Sequence, residues 1–508
     1  MVVFTILAVI TAVLVATVGV LALLLANTRR RYWHIPHPPL DNFWLGHAGM
    51  IDRRMNEMNE GSTIDEILLE YSKKYGEVIV FFLVHVPQVS ITLNDSNAMR
   101  QLGRDATLAK PIFVTGLKCL YGNRFFGNFL EGVNDLNVWL KRQKLFAPFY
   151  SKKNLRDVIG VTNEVIDKYI AYLDKESEKG ETVCMKETNR FLTSAIGGRV
   201  SLGVDIDRID QMMVLDRAVI QGFNLYADMM NDPLTRYLPI YRGKWQKAKE
   251  TCALLRGGIT EIIEKRQKES SETNGYGWKD FLGLALEAME NGEYDFEEMV
   301  DVMVEAFDSS HVGMVATVNN CLKEILQHPE VEKQLVEEVD RVLEGKPFVS
   351  FTDLQSFHYL ACVLKESLRC HPTLPYLLRE TTTDLTVAGY PVPAASFVHI
   401  SIYCMHHNDK FWPDPNKFDP NRFYSLTGDH DPSANLSFGS GMRACLGRAY
   451  AEQELKMIFA RLFQAFTFEM EKQSKEYDKY GTKLMPLMYR DPINCKIKRR
   501  LVNETASH

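Results

Sequence analysis

The run Phe438-Gly439-Ser440-Gly441-Met442-Arg443-Ala444-Cys445-Leu446-Gly447 carries the most chemical information in this chain. It fixes Phe438, Gly441, Arg443, Cys445 and Gly447 in the pattern F-x-x-G-x-R-x-C-x-G, just before a stretch patterned as a helix from Arg448 to Phe468. A thiolate is a strong, soft ligand for iron, and a helix N-terminus favours the deprotonated sulfur. Glycines let backbone approach a flat macrocycle closely, and an arginine matches a carboxylate through its forked N–H groups. The chemistry on offer is a metal–thiolate centre with Cys445 as the metal ligand. The plainer alternative is a buried structural cysteine in a turn.

A second pairing of types lies upstream. In Lys365-Glu366-Ser367-Leu368-Arg369 the glutamate and arginine sit at i and i+3 on a predicted helix from Leu360 to Cys370, where they share a face and can form a charge-assisted bond. Phe418-Asp419-Pro420-Asn421-Arg422-Phe423 follows about 50 residues later, shortly before the cysteine loop.

The elements that must position these residues are mainly helical. From about Asn97 to Leu343 the pattern is helical, with a polar, glycine-containing break at Lys268 to Gly277; His328-Pro329-Glu330 opens a new amphipathic helix. Val78–Phe82 and Gln88–Thr92 are β-rich runs able to pair, and a strand-and-turn section through Gly389-Tyr390-Pro391 reaches about Ile402. The N-terminus adds Val2 to Ala26, 25 residues without a charge, followed by Arg29-Arg30-Arg31. As a helix this is about 37 Å long, enough for a bilayer core of about 30 Å. The basic cluster follows the span, so the positive-inside rule puts the main body in the cytosol. That topology keeps the sequons at Asn94, Asn435 and Asn503 away from glycosylation. The expected organisation is an anchor over 1–28, a basic, proline-rich hinge over 29–40 and one catalytic domain over 41–508. Nine cysteines without a C-x-x-C pair argue against a disulfide framework or zinc site, and a net charge of −6 gives no reason to expect nucleic-acid binding.

Taken together, these motifs resemble the cytochrome P450 family, microsomal type, over essentially the whole chain. Within it the segments Lys73-Lys74-Tyr75-Gly76, Leu360–Arg369 and Asp414–Phe423 are most similar to sterol hydroxylases of the cholesterol 24-hydroxylase type, and the tail Tyr480–Pro486 is similar to prostacyclin synthase and the bile-acid hydroxylases. The resemblance implies a mainly α fold with small β-sheets and haem b held by the Cys445 thiolate. It implies that Phe438, Arg443 and Gly447 shape the haem loop, and that Trp139, Arg142 and Arg379 contact the haem or its propionates. The family's helical arginine falls four residues after the tryptophan, at Gln143 here, and a one-residue shift to Arg142 turns a side chain by about 100°. Glu366, Arg369 and Arg422 are implied as a structural cluster beneath the haem.

Oxygen-activating members carry an acid followed by threonine in the long helix over the haem. Without gaps that pair falls on Val312-Gly313, and neither residue moves a proton. Asp308, Ser309, Ser310 and His311, one turn upstream, are the candidate proton carriers. Asp308 could equally be a solvated or capping acid, and His311 a packed one. Two functions follow. One is a monooxygenase hydroxylating a lipophilic substrate, sterol or other lipid, with NADPH–cytochrome P450 reductase (and cytochrome b5 as a second candidate) as electron donor, at the endoplasmic reticulum membrane. The other is an isomerase or dehydratase of lipid hydroperoxides or endoperoxides, of the epoxyalcohol, allene oxide or prostacyclin synthase kind. Lys141, Arg142, Lys144, Arg443 and Arg448 are the candidate basic face for an acidic reductase.

Overall fold

A computed structural model describes residues 2–57, 64–83, 86–91, 102, 108–270, 280–424, 434–471 and 493–500. The sequons at Asn94 and Asn503, the tail Tyr480–Pro486 and most of the break before Gly277 lie outside the described residues. The helices that matter for the site are α1 (Val2–Arg30), α2 (Leu136–Phe146), α3 (Lys152–Lys179), α4 (Met185–Leu202), α5 (Ile209–Asn231), α6 (Phe296–Gln327), α7 (His358–Cys370) and α8 (Arg448–Ala465). The strands of the two larger sheets are β1 (Val78–Leu83), β2 (Val86–Ile91), β3 (Thr182–Cys184), β4 (Tyr376–Glu380), β5 (Phe397–Ser401), β6 (Phe466–Met470) and β7 (Asn494–Arg499), and two short hairpins, Cys119–Leu120 with Asn123–Arg124 and Leu385–Val387 with Tyr390–Val392, complete the described β structure.

Local chemistry sets the ends of these helices. The Asp135 carboxylate accepts from the Asn137 and Val138 N–H groups at the start of α2, and Ser151 caps α3, which Gly180 closes at φ +68°. Asp295 and Glu298 form a reciprocal capping box on α6, and Pro329 stops that helix from running on past His328. At 32 residues α6 crosses the whole core. Its polar, small-residue middle admits α4 closely: a Cβ on Gly197 would stand 2.6 Å from the Ser310 Oγ.

The two β-rich runs do pair, antiparallel, with Val78 opposite Ile91. β2 continues parallel to β5, and β5 antiparallel to β4, giving the order β1-β2-β5-β4. A smaller sheet, β6-β7-β3, forms where a helix to Phe468 was expected. Helix α8 stops at Ala465, because Phe466 and Phe468 are buried on one strand face while Thr467 and Glu469 are exposed. The main apolar core is shared by the helices, and a second gathers around the four-stranded sheet.

Phe4–Arg30 is long and apolar enough to cross a membrane, and its apolar stretch has no buried residue. The segment expected as a hinge is instead fastened to the globule. Arg29 is buried, donates to the Phe43 carbonyl at 2.5 Å and lies over the Phe43 and Phe82 rings. Tyr32 and Ile35 are also buried; the Tyr32 hydroxyl meets Ser396 Oγ at 2.8 Å, and the Val80 N–H donates to the Pro36 carbonyl. Stiff prolines here orient a docking strap, since the side chains between them find partners on β1 and beyond β4.

Candidate active site

The cysteine loop is a tight backbone construction. Gly439 and Gly441 take φ of +69° and +72°, a region costly for any residue with a Cβ. The Cys445 N–H donates to the Phe438 carbonyl at 2.9 Å, and Ala444 N–H to the Gly441 carbonyl, closing the loop on itself. Gly447 is the N-cap of α8 and packs toward Tyr150, whose hydroxyl would be 3.4 Å from an added Cβ. Cys445 keeps an exposed sulfur. Burial of its surroundings pushes the thiol up, while the Gly447 and Arg448 N–H groups and the Arg448 charge act the other way.

Behind the loop, the acidic and basic residues lock together. Glu366 and Arg369, both fully buried, form a two-bond fork at 2.8 Å each. Arg422 Nε donates to the same carboxylate at 3.2 Å, and the Asp419 N–H at 2.9 Å. The remaining Arg369 donors reach the His406 and Pro415 carbonyls, each at 2.8 Å. His406 then carries the contact onward. Burial and the Arg369 charge hold its imidazole well below the usual range, so it is neutral, and its Nε2 accepts the Leu436 N–H at 2.9 Å. Leu436 stands two residues before Phe438. The cluster therefore fixes the approach to the cysteine loop through one chain of bonds.

Arg379 and Arg443 face each other's charge on the other side of the loop. Arg379 is buried on β4 and donates to the Leu378 carbonyl. Arg443 lies over the Trp139 ring at 4.4 Å, donates to the Val133 carbonyl at 3.3 Å and has Nη1 buried without a partner. Burial lowers both guanidinium pKa values, and the Arg379 charge lowers that of Arg443 further, while Glu131 opposes the shift in each. Among the described residues neither has an ion pair. A buried and a half-buried guanidinium without ion pairs, beside an exposed cysteine, suit a flat metal-bearing ring with carboxylate arms, so these residues fit haem. Arg142 is fully buried on α2, with Nη1 unpartnered, and its charge acts on Tyr294 and Glu305. That burial removes Arg142 from the expected basic surface. Lys141, Lys144 and Arg448 remain exposed, whereas Arg443 is turned inward.

Helix α6 sorts the proton-carrier candidates. At 100° per residue, Glu305, Asp308, Ser309, Val312 and Gly313 share one stripe. Asp308 is half-buried with one carboxyl oxygen unpartnered; burial pushes it up to about 7, helped by Glu131 and Asp216 and opposed by His311. The Ser309 and Ser310 hydroxyls are spent on the Glu305 and Phe307 carbonyls of their own helix. His311 faces away from the stripe and is fully buried: Nδ1 meets the Phe307 carbonyl at 2.6 Å, and Nε2 meets Asp216 of α5 at 3.0 Å. Both ring nitrogens are engaged, and the Asp216 contact ties α6 to α5. Around Gly313 there is space, the nearest atom to an added Cβ being Thr373 Cγ2 at 3.9 Å.

Three participants were not visible in the sequence. Glu305, pushed up to about 8 by burial, accepts the Leu130 N–H at 2.7 Å and the Glu131 N–H at 3.3 Å, pinning the loop before α2 over the stripe. Thr317 bonds the Gly313 carbonyl and the Thr373 hydroxyl, both at 2.9 Å. Only the stripe spacing of Glu305 with Asp308 and Val312 gave any signal.

A family model described as Cytochrome P450 matches residues 36–497. The chain is 25% identical to Cytochrome P450 3A31 of Mesocricetus auratus over 453 residues, which cover 85% of this chain and 86% of that one. It is 25% identical to Cytochrome P450 3A25 of Mus musculus over 420 residues (78% and 80% covered) and 26% identical to Cytochrome P450 3A2 of Rattus norvegicus over 431 (80% and 82%). These relatives lend no support to the narrower resemblance to cholesterol 24-hydroxylases. With an exposed cysteine in a closed glycine loop, a buried cluster behind it and uncompensated guanidiniums beside it, the chain belongs to the cytochrome P450 family and is a haem-thiolate monooxygenase.

Proposed function

We propose that this enzyme hydroxylates a lipophilic substrate at the endoplasmic reticulum membrane, with Asp308 as the acid that holds and passes protons on the distal side. Cys445, Arg379 and Arg443 hold the haem, which supplies oxygen activation and C–H oxidation when bound. An NADPH-dependent reductase supplies electrons, docking near the exposed Lys141, Lys144 and Arg448. The Phe126, Phe129 and Phe223 rings pack together with neighbouring centroids 5.5–5.7 Å apart, and an aromatic cluster of this kind suits a lipophilic substrate. A sterol is one substrate of that class, and the cytosolic orientation rests on the arginines after the span.

The observation that carries this reading is the Asp308 carboxyl, raised to about 7 and on the same stripe as Val312 and Gly313. A carboxylic acid with that pKa is protonated in appreciable part at neutral pH and re-ionises readily, which suits general acid work. Because its pKa is raised, the proton-bearing form dominates below about pH 7 and is lost as pH rises through that value. Asp308→Asn should lower product formed per NADPH consumed by about 10²-fold, at the lower end of general acid–base effects. It should also abolish the pH dependence near 7 while leaving spectrally measured substrate affinity unchanged. An unaltered coupling ratio in Asp308→Asn excludes the role.

Val312-Gly313 favours one other reading. A helix that cannot offer the acid–threonine pair at that register suits rearrangement of a substrate already containing an O–O bond, which needs neither oxygen nor reductase. The open space at Gly313 would admit a bulky lipid hydroperoxide.

A further inference from the structure

Between Met299 and Ile325 every residue of α6 is buried except Asp308, Ser309, Val312 and Gly313. These four share one broad stripe, the part of the helix that the rest of the chain leaves uncovered. One turn past Gly313, at the edge of that stripe, stands a pair of hydroxyls. Thr317 Oγ1 meets the Gly313 carbonyl and Thr373 Oγ1, each at 2.9 Å. Thr373 is half-buried, and its Cγ2, at 3.9 Å, is the nearest atom of another element to a Cβ built on Gly313.

Thr373 is held in place by bonds on either side of it in the chain. Two residues earlier, His371 Nε2 meets Glu324 Oε1 of α6 at 2.6 Å; two residues later, the Pro375 carbonyl accepts the Tyr403 N–H at 2.9 Å. Pro372 stiffens the step between them. Chemistry then sets the polarity of the hydroxyl pair. A carbonyl only accepts, so the single Thr317 hydrogen is spent on Gly313. The shared bond is therefore made by Thr373 donating to Thr317. Thr373 Oγ1 has given its only hydrogen and keeps lone pairs that no described residue engages.

We propose that Thr373, oriented by Thr317, is a specificity-determining acceptor for a hydroxyl of the substrate, so that this enzyme selects lipid alcohols over their deoxy counterparts. The proposal rests on the reading of the enzyme as acting on a lipophilic substrate and narrows the class of that substrate. Val312 and Gly313 offer a ligand no side-chain donor or acceptor, so Thr373 is the first polar side-chain atom met beyond them. There an O–H finds an acceptor. A carbonyl or ether oxygen finds only lone pairs, because the one hydrogen is committed to Thr317, and that mismatch supplies the selection.

The test uses substrate-free holoenzyme and measures affinity by difference spectroscopy. The probes are cholesterol, farnesol and hexadecanol, each set against its deoxy hydrocarbon and its methyl ether. Wild type should bind at least one alcohol about tenfold more tightly than both of its counterparts. Thr373→Val should erase that preference, and Thr373→Ser should keep it. Thr317→Val releases the Thr373 hydrogen, so the methyl ether should gain about tenfold on the hydrocarbon. Loss of packing alone produces no such reversal, and Thr317→Val carries the test if Thr373→Val accumulates poorly as holoprotein. Equal affinities across every set, no binding of any alcohol, or a preference that survives Thr373→Val overturns the proposal. Oxygen- and NADPH-dependent product from a bound hydrocarbon, with no preference for its alcohol, overturns this proposal alone and leaves the monooxygenase reading standing.

Discussion

Cys445→Ala is expected to leave a folded protein that has lost thiolate ligation and, with it, monooxygenase turnover. No buried side chain depends on the thiol, so the polypeptide should still fold, while the bound haem loses its protein ligand. The loop's shape comes from backbone bonds, Cys445 N–H to Phe438 and Ala444 N–H to Gly441, which alanine retains. Activity should fall by at least about 10³-fold, because no neighbouring group replaces a soft thiolate donor. Among the described residues the structure offers no other cluster of metal-binding side chains. The reduced carbon-monoxide difference spectrum reports ligation directly. A thiolate-type spectrum surviving in Cys445→Ala would place the ligand elsewhere.

The second large effect is expected at Glu366. Its carboxylate takes four donors: Arg369 Nε and Nη2, Arg422 Nε and the Asp419 N–H. Glu366→Ala leaves Arg369 fully buried with its charge uncompensated, which costs about 3–5 kcal/mol when one partner of a buried pair is removed. Against a typical total of about 5–15 kcal/mol, little holoenzyme should accumulate. Thermal unfolding and haem content of the purified variant check this. Arg369→Lys should fare almost as badly. A lysine has one ammonium where the guanidinium simultaneously reaches Glu366 and the carbonyls of His406, Pro415 and Lys417. A stable, haem-loaded Arg369→Lys would refute the view that the fork positions the loop.

The two chemical centres differ in how far the sequence revealed them. The cysteine loop is local: five residue types within ten positions, with the positive-φ glycines and the helix start included, so a short window contains its physics. Glu366 and Arg369 are local as well, being one turn apart. Arg422 enters through tertiary packing, and only its resemblance to a known pattern brought it forward. On α6 the window from Asp308 to Gly313 was identifiable, but helical rotation divided it: Asp308 stays with Val312, whereas Ser310 and His311 turn toward α4 and α5. Glu305 gives little signal in the sequence because it is an ordinary charged residue there, given its setting by a distant partner, the Leu130 N–H. The strap after α1 misled in the opposite direction. Its prolines suggest a spacer, while Tyr32 finds its partner 364 residues away at Ser396.

The fold was legible for similar reasons. The helical periods and the two β-rich runs are strong local signals, and both sets formed. The helix predicted to Phe468 ended early because the alternation of Phe466, Thr467, Phe468 and Glu469 fits β6, paired with β7 from the far C-terminal region. That pairing is invisible to a window that reads only the helix.

Oxygen, and not a preformed O–O bond in the substrate, is what this enzyme works on. The most direct measurement mixes the haem-loaded protein with a polyunsaturated fatty-acid hydroperoxide, in the absence of oxygen and reductase, and follows the conjugated-diene absorbance. The monooxygenase account predicts no loss beyond slow bleaching of the haem. Consumption at many turnovers per second would contradict it and assign Val312-Gly313 to an isomerase.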